Sequence, residues 1–241
     1  MSKYIIEKEY FEHIAEHQLA EMLSSFSRDK NGNIAIPYNH KGYSCKDIKV
    51  KSNNKVKAIS MFSGAGGLDI GFEKAGFHNV FASDNWDVAC KTLKKNGVAD
   101  EIVCGDIRNL DFKTIRKQYG EIDCLIGGPP CPPYSQTRHY LIGKADGFED
   151  EHAGFAVPEY FRAVKELKPT VFIFENVDGF TFKTHQYEFD YLKEISKKLG
   201  YRLTYKVVNC ADYGIPQKRE RVIIFGVQNS NSNLINSFFT L

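Results

Sequence analysis

The sequence predicts the α/β class: a doubly wound, mainly parallel seven-stranded sheet with one antiparallel strand near its C-terminal end. Three observations lead there. Strand-like apolar runs occur at 56–62, 80–83, 102–104, 124–127, 170–175, 203–208 and 221–227. Most are separated by stretches whose apolar residues recur every three to four positions, so strands alternate with helices and pair in parallel through right-handed crossovers. The final connection, from Val208 to Arg221, breaks the pattern. It holds Gly214 and Pro216, too interrupted for a crossover helix, so the last two strands read as a hairpin-like pair.

The segment ahead of the first strand reads differently. Phe11, Ile14, Leu19, Met22, Leu23 and Phe26 are spaced for an amphipathic helix within 7–26. From 27 to 57 the composition shifts to Lys, Asn and Gly, with eight Lys or Arg against Asp29 and Asp47. That stretch is a solvated connector or a surface that touches a polyanion. Residues 1–55 are therefore read as a helical extension and basic linker, 56–228 as the α/β domain and 229–241 as a tail.

Composition sets outer bounds. A chain of 241 residues with 42% hydrophobic content sustains one large core. No apolar run reaches the roughly 18 residues of a membrane span, and the N-terminus lacks a secretory pattern, so a cytoplasmic protein without a membrane partner is expected. Six cysteines, at 45, 90, 104, 124, 131 and 210, form no C-x-x-C pair or disulfide framework, which predicts reduced thiols. The seven histidines are scattered, and no metal site is expected. A net charge of +2 neither demands nor excludes nucleic acid.

The chemistry gathers at strand ends. The first strand runs into Phe62-Ser63-Gly64-Ala65-Gly66-Gly67-Leu68, whose glycines allow a tight turn and close approach of a ligand to a helix start. Asp84 follows Gly64 by 20 residues and ends the second strand, where an acid binds ribose hydroxyls in Rossmann-like sites. Asp106 ends the third and suits an adenine amino group. Either aspartate taken alone reads first as a helix cap or turn. Cys131 sits among Pro129, Pro130, Pro132 and Pro133, so its direction is set in advance: a nucleophile at a strand end, or a stiff turn with an incidental thiol. Glu175 leaves an apolar strand, where desolvation would favour an acid, unless it caps the next helix. Arg219 and Arg221 share a face by two-residue periodicity and, taken singly, suit surface salt bridges.

Phe62-Ser63-Gly64-Ala65-Gly66-Gly67, Gly128-Pro129-Pro130-Cys131, Glu175-Asn176-Val177 and Gln217-Lys218-Arg219-Glu220-Arg221, in this order, resemble the S-adenosylmethionine-dependent cytosine-5 DNA methyltransferases across 56–228. The resemblance implies a Rossmann-like catalytic domain in which the Cys131 thiolate adds to carbon 6 of a flipped cytosine. It implies that Glu175 supports ring nitrogen 3 and that Arg221, with Arg219 beside it, holds the exocyclic oxygen. S-adenosylmethionine, leaving as S-adenosylhomocysteine, is then held by Phe62, Ser63, Gly64, Ala65, Gly66, Gly67, Leu68, Asp84, Asn85, Trp86, Asp106, Ile107 and Pro129. Double-stranded DNA is the implied partner, in a bacterial or archaeal cytoplasm at the nucleoid and in a restriction-modification setting. The segment 136–152 resembles the family's loop that closes on DNA, and reads equally as a disordered connector.

Departures stand beside the match. Pro132 replaces a common glutamine, Tyr134 a common phenylalanine and Asp84 a usual glutamate. The family's target-recognition domain is not evident after Arg221, nor is the returning segment that completes the cofactor pocket. The catalytic half of a split methyltransferase, or a truncated one, is expected, with a second polypeptide supplying both. Other readings are a transfer-RNA cytosine-5 methyltransferase, an inactive nucleic-acid-associated module and a nicotinamide oxidoreductase. The last gives no reason for Cys131, Glu175 and Arg221 on later strand ends.

Overall fold

Runs of Val, Ile and Phe build the sheet because they fill pleated positions buried on both faces. The structure is a computed structural model that describes residues 56–130, 154–181 and 186–230, together with the two-residue strands Ser27–Arg28 and Ile34–Ala35, which pair antiparallel. The helix expected within 7–26, the segment 136–152 and Cys131 lie outside the described residues.

The chain order is β1 (Val56–Met61), α1 (Gly67–Lys74), β2 (Phe77–Asp84), α2 (Asp87–Asn96), β3 (Glu101–Cys104), α3 (Phe112–Tyr119), β4 (Cys124–Gly127), α4 (Ala156–Leu167), β5 (Val171–Val177), α5 (Gln186–Lys198), β6 (Tyr201–Asn209) and β7 (Glu220–Gln228). The strands lie side by side as β3-β2-β1-β4-β5-β7-β6. All neighbours are parallel until β7, which inserts between β5 and β6 and pairs antiparallel with both. The expected seven strands and single antiparallel member are therefore present, and β7 is the reversed one.

Local chemistry sets the boundaries. Asp111 caps α3 by accepting from Lys113 N and Thr114 N, while Phe112 and Ile115 turn inward. The α2 helix ends on Gly97, and Pro158 sits in the first turn of α4, where a missing N–H costs nothing. Tyr160 anchors α4 to the sheet: its ring meets Phe161, Phe172 and Phe174 edge-on, and its hydroxyl donates to Ile173 O at 2.8 Å.

One expectation is corrected. Cys90 and Cys104, read as reduced thiols, are disulfide-bonded with their Cα atoms 5.7 Å apart. The α2 helix folds back over the end of β3, a contact between elements that Cys spacing alone does not encode.

Candidate active site

The strand order reverses between β1 and β4: the chain leaves β1 toward β2 and β3, then crosses to β4 on the other side. Open α/β sheets bind ligands at the carboxyl ends of strands flanking such a switch point. Here the glycine turn follows β1, and Gly128-Pro129-Pro130 follows β4, whose last residue Gly127 pairs with Met61.

The glycine turn is held in a sparsely populated conformation. Phe62 has φ 53°, uncommon for a non-glycine residue, and Gly66, the residue before α1, has φ 90°. A Cβ at Gly66 would also stand 3.0 Å from Leu93, so the turn needs glycine there for both backbone and space. Asp84 fastens it from the next strand. One carboxylate oxygen accepts from Gly64 N at 2.8 Å and the other from Trp86 N at 2.9 Å. The turn-forming reading of Asp84 is thus realised, and the residue still lines the cleft.

Beside this turn lies a cleft of about 350 Å³ whose lining includes Phe62, Gly64, Asp84, Asn85, Trp86, Asp106 and Ile107. Seven of the expected cofactor residues therefore meet in one place, while Ser63, Ala65, Gly66, Gly67, Leu68 and Pro129 are not among its lining. Trp86 is 54% exposed and offers an open ring face. Asp106 caps the short turn Ile107–Asn109 through Arg108 N and is ion-paired with the Arg108 guanidinium, which holds its carboxyl below the usual range. That pairing is the cap reading, with both oxygens already engaged. The Arg108 guanidinium also lies 4.4 Å from the centroid of the Phe155 ring. Phe155, Ser83, Gly105, Gly128 and Pro130 complete the lining and were not among the expected site residues. For Gly105, Gly128 and Pro130 the signal was adjacency to the motifs, whereas Phe155 had none.

A second cluster sits on the other side of Gly128. Arg221 Nε is 3.1 Å from Glu175 Oε1, and Arg219 Nη2 is 4.0 Å from the same oxygen. Both arginines thus reach one carboxylate, as their alternation expects. Glu175 is not a cap: the following short helix Asp178–Thr181 is opened by Asp178, which accepts from Gly179 N. A guanidinium, that of Arg221, faces the Glu175 carboxylate at the end of this apolar strand. A Cβ at Gly128 would stand 2.8 Å from Glu175 Oε2, so the loop leaving β4 runs directly against this carboxylate.

Two asparagines missed in the sequence hold the cluster. Buried Asn176 donates to Pro129 O at 3.3 Å, tying β5 to the loop that leads to residue 131. Asn209 accepts from both Ala211 N and Arg219 N, setting where β7 begins. Cys124 is a contrast to Cys131: it is wholly buried, burial pushes its thiol up, and it is unsuited to nucleophilic work. Cys131 itself, next after Pro130, lies outside the described residues.

Chemically, the arrangement offers a cleft for a nucleoside-sized molecule next to a charged cluster that presents both acceptor and donor groups. Among the described residues no helix is long and apolar enough to cross a membrane.

Comparison with known proteins adds an independent line. The family model for C-5 cytosine-specific DNA methylase matches residues 56–239. The chain is 38% identical over 185 residues to the type II methyltransferase M.PspPI of Psychrobacter, covering 76% of this chain and 42% of that protein. It is 38% identical over 182 residues to M.AquIA of Picosynechococcus, covering 70% of this chain and 71% of that protein. Among solved structures, a DNA modification methyltransferase encoded within a prophage of E. coli superposes with a TM-score of 0.62 at 27% identity, over 74% of this chain and 48% of that one. The chain spans about half the length of most of these curated relatives, M.AquIA excepted.

Proposed function

Because the chain belongs to the C-5 cytosine-specific DNA methylase family, we propose that it transfers a methyl group from S-adenosylmethionine to carbon 5 of cytosine in double-stranded DNA. The observation that carries this reading is the juxtaposition at the switch point. A nucleoside-sized cleft at the ends of β1, β2 and β3 adjoins the Glu175–Arg221–Arg219 cluster across Gly128, three residues before Cys131.

The residues present fit the cofactor. The Trp86 ring is open for an adenine face, and Asp84 retains lone pairs for ribose hydroxyls beside its two backbone bonds. Phe62, Gly64, Asn85, Asp106 and Ile107 complete the walls. When bound, S-adenosylmethionine supplies an electrophilic methyl group.

The chain's own residues do the rest. Cys131, as thiolate, bonds to carbon 6 of the cytosine, and the ring becomes nucleophilic at carbon 5. Glu175 stabilises the ring at nitrogen 3 as that adduct forms, and Arg221 holds the exocyclic oxygen while fixing the Glu175 carboxylate. Arg219 adds charge at longer range. Asn176 and Gly128 hold the residues that lead into Cys131 close to β5, Pro129 through Asn176 and Gly128 against Glu175. Once carbon 5, now bearing the transferred methyl group, has given its proton to a base from solvent, the C–H electrons restore the carbon 5–carbon 6 double bond as the Cys131–carbon 6 bond breaks and the thiolate is regenerated. The target atom is inaccessible inside a duplex, so the base must flip out at a cost of a few kcal/mol, offset by these contacts.

We assign the choice of DNA sequence to protein beyond this catalytic domain, carried on a second polypeptide, and the reaction to a bacterial or archaeal cytoplasm. The mechanism is tested by trapping. Incubating the chain with S-adenosylmethionine and duplex DNA containing 5-fluorocytosine, with transfer RNA as the competing substrate, should give a covalent complex that peptide mapping assigns to Cys131. A complex formed equally by Cys131→Ser, or formed only with transfer RNA, would overturn it.

A further inference from the structure

The cofactor cleft has two walls from different elements, and one sulfur pair joins them. Trp86 precedes α2, and Cys90 N donates to Trp86 O at 2.9 Å, so Cys90 closes the first helical turn behind the ring. Cys104 ends β3 beside Asp84 of β2 and runs directly into Gly105, Asp106 and Ile107 on the neighbouring wall, where Gly105 N donates to Asp84 O at 2.9 Å. Their Cα separation of 5.7 Å lies in the ordinary disulfide range.

The two sulfurs differ in access. Cys90 is 1% exposed, whereas Cys104 is exposed. Cys90 Sγ also lies 3.3 Å from the Asp84 carbonyl oxygen, a partner to which its thiol donates when reduced. Each redox state therefore has a contact of its own beside the cleft-lining Asp84. In a reducing compartment, an intramolecular disulfide of this kind is transient and redox-sensing more often than structural.

We propose that Cys90 and Cys104 form a reversible thiol–disulfide switch that sets the affinity of the cofactor cleft. The oxidant is a small-molecule disulfide of the glutathione class. The Cys104 thiolate attacks it, forming a mixed disulfide and expelling one thiolate. The Cys90 thiolate then attacks the Cys104 sulfur and expels the second. The two protein protons pass to the two leaving thiolates, so the protein dithiol is oxidised and one oxidant disulfide is reduced to two thiols. The oxidised form holds Asp84–Trp86 and Gly105–Ile107 at the spacing seen here, so a nucleoside has less of the cleft to order on binding. The reduced form leaves the two walls joined only through noncovalent contacts.

The affinity half of this inference rests on the cofactor reading, so the test separates them. The full-length chain is equilibrated across glutathione redox buffers, and the Cys90–Cys104 link is read by mass spectrometry of unreduced peptides. Trp86, the only tryptophan in the chain, reports the cleft wall by its fluorescence. S-adenosylhomocysteine is then titrated into both states and into Cys104→Ser. Activity is not the readout, because Cys131 is itself oxidisable. The linked peptide is expected with oxidised glutathione, together with a change in Trp86 emission and binding at least about threefold tighter than in the reduced state. Cys104→Ser should bind with the same affinity in both buffers. Absence of the linked peptide in fully oxidising buffer overturns the switch, as does a link that leaves both Trp86 emission and affinity unchanged. If the link forms and moves Trp86 emission but neither state binds the nucleoside, the switch stands and the cofactor reading falls.

Discussion

Asp69 shows how much a single side chain can set against the fold for the sake of the site. It lies in the first turn of α1, directly under the glycine turn, and is fully buried. Neither carboxylate oxygen has a hydrogen-bond partner among the described residues. The Ser60 hydroxyl, engaged with Ser63 at 2.8 Å, favours the charge only in part. Burial, outweighing Ser60, pushes the carboxyl up from 3.8 to about 6. The native state therefore holds a proton that the unfolded chain has released between those values, and stability falls as pH rises through that window. Fully ionised, the group costs roughly 3 kcal/mol. Asp69→Asn should then be more stable than the parent above pH 7, by up to about 3 kcal/mol, with the difference vanishing below about pH 4. Urea midpoints of both proteins across that range check this, and a pH-independent difference would refute it. Gly128 is the opposite case, a side chain kept absent. In Gly128→Ala the methyl displaces the Glu175 carboxylate that it would meet at 2.8 Å, and methylation by the active enzyme should fall by about 100-fold in kcat. Stability should move by less than about 1 kcal/mol.

At the level of elements, β4 leads into Gly128 and β5 carries Glu175, and α4 bridges the two strands. The Tyr160 hydroxyl reaches Leu125 O at 3.2 Å as well as Ile173 O, so one phenol spans both strands. Its ring fills the space left by Gly127, where a Cβ would stand 2.7 Å from Tyr160 Cε2. Tyr160→Phe keeps the ring and loses the bridge, which should cost about 1–2 kcal/mol in denaturant stability, while Tyr160→Ala should cost about 3–5 kcal/mol. The strands themselves were legible in the sequence because a strand buried on both faces is a plain apolar run. Their ends were less so: β2 starts at Phe77 rather than 80 because His78 and Asn79 continue the ladder with β1. Such polar residues pair by backbone and leave no hydropathy signal. The site divides the same way. Glu175, Arg219, Arg221 and the glycine turn announce themselves by motif, whereas Asn176 on Pro129, Phe155 beside Arg108 and Cys90 on Cys104 are contacts between elements distant in sequence. The insertion of β7 between β5 and β6 was hidden for that reason too, since a broken connection reveals reversal but not order.

For the whole molecule, charge and site placement together bear on whether this chain chooses its target alone. Non-specific DNA affinity comes largely from neutralised phosphates, and a net charge of +2 over 241 residues supplies little of it beyond local clusters such as Lys218, Arg219 and Arg221. Sequence discrimination requires groups that reach base edges in a groove, whereas in the proposed reading the residues gathered at the switch point serve a single extruded base and a nucleoside cleft. Flipping that base costs a few kcal/mol before any contact inside the pocket is made. On the proposed assignment of sequence choice to a second polypeptide, this domain alone recovers that cost at one sequence little better than at another. The purified chain should therefore bind S-adenosylhomocysteine yet methylate DNA slowly, with under about tenfold preference among sequence contexts, against the 10³ or more typical of specific DNA binding. Co-expression with the product of the adjacent open reading frame should raise the rate and confine methylation to one motif, read by bisulfite sequencing of a plasmid library. Motif-specific methylation by the single purified chain would instead locate recognition within these 241 residues and remove the need for a second polypeptide.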